Sequence, residues 1–189
     1  MVTFKTSINV VAVLGLALGA VFGMAGTFVA QPNIQALLWA IDGAGLVMAA
    51  ALLTLKYLRM GHDVVAAGFL VFAIAEAVLM SGTAAGPAAS VPAFAAGTAL
   101  WALALLLISI PRHFALFVRL LGVVRAALFA ITAARIFWGE QILPTSAPLP
   151  FYAYPILVMT FIGWRASSKP TVRNDRSGSD SAPPSMFAA

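Results

Sequence analysis

The sequence predicts an all-α, polytopic membrane protein of six transmembrane helices arranged as three helical hairpins, with hairpins 1 and 2 related as a parallel duplication. Three observations predict it. Across 189 residues, 62% are hydrophobic and 9% charged, a balance that cannot cover the outside of a soluble domain but suits lipid, which solvates Leu, Val and Phe. Apolar runs of about 20 residues, the length a helix needs to cross a bilayer, recur between short polar breaks. Lys and Arg fall on alternate breaks only, as the positive-inside rule requires.

The first span is expected at about 8–30, after a short N-terminus, 1–6, that carries Lys5. Gly23-Met24-Ala25 fits a signal-peptide cleavage site only loosely. Gly15, Gly19 and Gly23 repeat every fourth residue, placing them on one helix face where a neighbouring backbone approaches closely. A segment that is cut away has no need of such a face, so the span is read as retained. The second span, about 34–55, contains Asp42 and is followed by Lys56, Arg59, His62 and Asp63. The third, about 64–82, carries Glu76 as its single charge. A Gly- and Pro-rich, uncharged connection leads to the fourth, about 92–110, which Pro111-Arg112-His113 closes. The fifth, about 114–137, holds Arg119, Arg125 and Arg135, and a second small-residue stripe of Gly122, Ala126, Ala130 and Ala134. The sixth, about 150–165, is the shortest, and the Ser-, Pro- and Asp-rich tail 166–189 has too little to bury to fold.

Lys5, Lys56, Arg59, Arg112, Arg165, Lys169, Arg173 and Arg176 all fall on one side of this six-span chain. Both termini are therefore expected in the cytoplasm, and the chain in a bacterial inner membrane. Trp39, Trp138, Tyr152 and Tyr154 near the outer ends, with Tyr57 and Trp164 near the inner ends, read as aromatic belts.

Met24-Ala25-Gly26-Thr27 matches Met80-Ser81-Gly82-Thr83, and Leu38-Trp39-Ala40 matches Leu100-Trp101-Ala102. These matches keep the order of the hairpins, hence the expected duplication. In length and three-hairpin layout the chain resembles the small six-span acid-resistance membrane proteins of the HdeD type. The resemblance is one of layout, and no function is carried from it.

Asp42 and Glu76 are expected at one level, about 9–12 Å below the outer surface at the helical rise of about 1.5 Å per residue. A charged acid there costs about 2.5–3.5 kcal/mol or more to insert unless it is protonated, paired or hydrated. Two readings follow: an inter-helix pair that holds the bundle together, or a proton- or cation-handling site. Arg125, mid-span, is the counter-charge within the membrane, although helical side chains lean towards the N-terminus and so away from the acids. Arg119 and Arg135 reach the interfaces and read as anchors.

No cysteine is present, which excludes disulfides and thiolate chemistry. His62 and His113 lie at the boundary and read as solvated loop residues, so no metal and no cofactor is expected. No catalytic or phosphate-binding motif occurs, so the chain is read as a non-enzyme. The net charge of +5 is spread over loops and termini and does not indicate nucleic acid. The expected partners are the lipid bilayer and a second copy, through the small-residue faces. The function expected is that of a structural or stress-related membrane protein, with a small transporter or channel using Asp42 and Glu76 as the alternative.

Overall fold

The computed structural model describes residues 2–85 and 87–142, with side chains over 8–85 and 90–142. The expected sixth span, the tail, Tyr152, Tyr154 and Trp164 lie outside the described residues. Five helices run α1 (Val2–Phe28), α2 (Pro32–Arg59), α3 (Asp63–Ala84), α4 (Pro87–Ser109) and α5 (Leu116–Phe137). All five contain a stretch long and apolar enough to cross a membrane. Short connections make consecutive helices antiparallel neighbours, and among the described residues backbones approach closely only between helices consecutive in the chain.

The helix bounds differ from the expected spans where polar residues extend a helix beyond its apolar stretch. α1 begins at Val2, within the expected irregular N-terminus, and α2 runs on to Arg59. At 28 residues α2 is about 42 Å long, more than the hydrocarbon thickness. Its last turn, with Lys56 and Arg59, places cations on the carbonyl end of the helix dipole. α4 begins at Pro87, with Pro92 inside it. Pro87 takes the first helical position, where a missing amide donor costs nothing, whereas Pro92 lies beyond the first turn and removes one donor from the ladder.

Two helices end in the same way. Gly61 adopts φ +72°, and the amide N–H groups of Gly61 and His62 donate to Leu58 O (3.0 Å) and Tyr57 O (2.9 Å). Gly139 adopts φ +99°, with Gly139 donating to Ile136 O (2.9 Å) and Glu140 to Arg135 O (3.1 Å). Both are Schellman closures, in which a left-handed glycine turns the chain back over the last turn. The second brings Glu140 over Arg135, which donates from Nε to Oε1 (3.0 Å) and pairs through Nη2 with Oε2 (2.5 Å). Arg135 is thus tied to the turn that follows α5. Arg119 anchors differently: its Nε donates to Ser109 O (2.8 Å) and its Nη2 to Ile110 O (2.9 Å). It caps the carbonyl end of α4 from α5.

The glycine face of α1 packs onto α2. A Cβ at Gly15 would stand 2.5 Å from Gly45 O, one at Gly19 would collide with the Leu46 side chain, and one at Gly23 would meet Asp42. The expected stripe on α5 is corrected. Gly122 and Ala126 are buried, but Ala130 is exposed and Ala134 half-buried, while Phe129 and Ala133 take the inner face. A step of four residues advances about 400° at about 3.6 residues per turn. Each step therefore drifts about 40°, and by Ala130 the stripe has rotated off the contact. Tyr57 is also corrected: it is buried, stacked on Phe69 at 5.5 Å and edge-on to Phe114 at 6.0 Å. It serves the core rather than a belt, because the long α2 carries it inside the contact between the α2–α3 and α4–α5 connections.

Candidate functional site: a buried acid pair beside two indoles

Asp42 and Glu76 sit on helices that pack together, α2 and α3, and both are buried, at 7% and 3% exposure. The chain makes room for them with small neighbours. Gly19 and Gly23 of α1 face Asp42 from behind, and Gly43, the next residue on α2, accepts the Met80 side chain of α3 against its Cα. α2 and α3 thereby close to a distance at which the two carboxyl groups act on one another.

The acids line one cavity of about 50 Å³, together with Trp39, Trp101, Ser90 and Thr83. It lies between α2, α3 and α4, at the end of the bundle that carries the α1–α2 and α3–α4 connections. Thr83 spends its hydroxyl on α3, donating to Leu79 O (3.1 Å) and Met80 O (2.9 Å). Asp42 Oδ1, Glu76 Oε1, Trp39 Nε1 and Trp101 Nε1 are buried with no hydrogen-bond partner among the described residues. Trp101 Nε1 is directed at the Glu76 carboxyl without closing a hydrogen bond. Two acceptors and one donor, Trp101 Nε1, therefore meet at the cavity with their bonds unmade, while Trp39 Nε1 lies against Gly26 of α1. Unsatisfied buried groups of this kind cost about 1–3 kcal/mol each, and a cavity of this size with polar groups in its wall admits water.

Arg125 reaches the site from α5. It is fully buried, its guanidinium lies 4.8 Å from the Phe129 ring centroid, and Phe129 in turn packs on Trp101 at 4.7 Å. Its charge acts on both Asp42 and Glu76. The structure thus brings together all three intramembrane residues that the sequence singles out. Arg125 acts on the acids through its charge, with its guanidinium seated on the Phe129 ring of its own helix.

Trp39 and Trp101 are the residues that sequence reasoning missed. Trp39 is half-buried, its ring packed over Gly26, and its position near a span end reads equally well as a belt residue. Gln35 fixes this corner by donating from Nε2 to Gly26 O (2.9 Å). Trp101 is mid-span and 5% exposed. The signal available in the sequence is an indole N–H placed where lipid offers no acceptor.

His62 and His113 meet at the opposite end, with ring centroids 3.8 Å apart. Among the described residues no group of three or more His, Asp or Glu side chains is placed to hold a metal ion. A second cavity, of about 40 Å³, is lined by Leu16, Phe69, Leu105, Phe114 and Arg119, among others, and is almost wholly apolar.

Compared with family models, with curated proteins and with solved structures, the chain gives no match.

Proposed function

We propose that the chain is a multi-pass, non-enzymatic inner-membrane protein with six spans and both termini in the cytoplasm, which handles a proton or small cation at Asp42 and Glu76. The observation that carries this reading is the convergence of both carboxylates, with unmade hydrogen bonds, on one cavity. A purely structural pair would be expected to close those bonds on protein partners. The one-sided Lys and Arg support the orientation.

The duplication of hairpins 1 and 2 belongs to this proposal. Thr27 and Thr83, equivalent in the repeat, both donate to the carbonyl of the equivalent Met, at 2.7 and 2.9 Å. Their neighbouring glycines pack differently, Gly26 on Trp39 and Gly82 on Ala93. The copies on this reading kept their helix ends while the acids arose in one copy each.

A structural role is the second reading, and the burial of Arg125 within reach of both acids favours it. Purified protein in vesicles carrying a pH-sensitive dye separates the two. Ion handling predicts a proton or cation flux that Glu76→Gln and Asp42→Asn abolish while folded yield holds. A structural role predicts lost yield in both variants and no flux in the parent.

A further inference from the structure

We infer that the Asp42–Glu76 cavity takes one proton, held between the two carboxyl groups and bound water, and takes neither a metal ion nor an organic cation. This deepens the ion-handling reading and rests on it. Three features of the cavity carry the inference: its charge, its hydrogen-bonding set and its size.

Among the described residues the charged groups that act on the site are few. α1 contributes glycines, α2 Asp42, α3 Glu76, α4 only the uncharged Trp101 and Ser90, and α5 Arg125. Arg125 stays protonated in any protein environment. Two carboxylates and one guanidinium leave a net charge of one negative in a medium where unbalanced charge is costly. One monovalent positive charge brings the site to neutrality. A divalent ion would overshoot it.

The hydrogen-bonding set separates a proton from an alkali ion. A bare cation needs a shell of oxygen ligands, yet the lining includes the indoles of Trp39 and Trp101, both with an unpartnered N–H, and that of Trp101 is directed at the Glu76 carboxyl. The positive end of that N–H opposes a cation. Water accepts from an indole and donates to a carboxylate, so a small water cluster satisfies Asp42 Oδ1, Glu76 Oε1 and Trp101 Nε1 at once. The volume agrees. About 50 Å³ holds a few waters and lies far below the roughly 300–1,000 Å³ of sites that enclose organic ligands.

The chemistry balances without any co-reactant. A hydronium ion gives its proton to one carboxylate oxygen, the new O–H donates to the other carboxylate, and the water left behind stays in the cavity. Release is the reverse. Both acids are required, because with a single acid the Arg125 charge already makes the site neutral.

Infrared difference spectroscopy on the full chain in lipid vesicles, titrated from alkaline to acid, tests this directly. The signal is the carbonyl stretch of a protonated carboxyl, taken as parent minus Glu76→Gln so that the exposed acids cancel. The expected result is one buried carboxyl proton per chain, unchanged when choline replaces sodium or potassium. Asp42→Asn should remove it although Glu76 is intact. Arg125→Gln, where it folds, should take up two protons. A band that shrinks in sodium, a band that survives Asp42→Asn, or no band at any pH overturns the inference. The flux assay fails or succeeds separately: an intact band without flux refutes transport alone, and flux with a sodium-sensitive band refutes the proton alone.

Discussion

Gly23 on α1 stands so close to Asp42 on α2 that a Cβ added there would lie 2.7 Å from Oδ2. The helix-packing face and the candidate site are therefore one construction. Gly15→Ala, which would press on the backbone carbonyl of Gly45, should lower stability in detergent by about 1–3 kcal/mol, since a backbone cannot step aside. Gly23→Ala meets only the end of a side chain. Its folded yield should stay near the parent's while flux falls, because the Asp42 carboxyl is displaced. Leu14→Ala, at a side chain 56% exposed, is the control and should change neither.

Removal of Arg125 should cost more than removal of Glu76, whose loss leaves a balanced pair. Glu76→Leu leaves the buried Arg125 facing Asp42 alone, and Arg125→Leu leaves two carboxylates without their cation. Arg125→Leu should destabilise by about 3–5 kcal/mol and Glu76→Leu by less, and the double variant should recover part of the Arg125→Leu loss. Thermal unfolding of the four proteins gives the coupling. Additive losses would show that Arg125 and Glu76 do not act on one another.

Arg119 stabilises the last turn of α4 through two carbonyls that would otherwise lack donors at a helix end. Arg119→Met keeps the apolar stem and removes both bonds, and should cost about 1–2 kcal/mol. Hydrogen exchange should rise at the α4–α5 connection and stay unchanged at the α2–α3 connection. Uniform change across both would refute a local cap.

Glu140 lies past the end of α5. The hydrogen bond from Arg135, aided by its charge, holds the Glu140 carboxyl below the ordinary value of 4.5. A depressed carboxyl contributes above its unfolded value, and the contribution is lost as pH falls through the folded one. The neighbouring Trp138, 85% exposed, reports on the turn. Its fluorescence should hold steady on acidification to the ordinary glutamate range and change only below it. Glu140→Gln should abolish that step.

Much of this was legible in the sequence because membrane spans announce themselves by length and by charge at their ends. The glycine face of α1 was legible for the same reason: only a close contact explains Gly15, Gly19 and Gly23 together. The inner face of the other helices was not, since lipid and interior are both apolar and Leu or Phe gives no sign of which it meets. Ala130 and Phe129 show the cost, the small residue facing out and the large one in. The acids pointed inward by cost alone. Their indole companions did not, because a tryptophan near a span end suits a headgroup as well as a cavity. Arg125 was legible as a counter-charge but not in its seat, which depends on Phe129 one turn along the same helix.

The central claim is that Glu76 faces a wet interior cavity, and the absence of cysteine from the chain makes one measurement especially direct. A cysteine placed at position 76 in otherwise intact protein is offered a water-soluble thiol reagent and, separately, one confined to the lipid phase. The account predicts slow modification by the aqueous reagent, lowered further when Thr83 is replaced by a larger residue at the cavity wall, and no reaction from lipid. Ready modification from the lipid phase would place the side chain outside the bundle and contradict it.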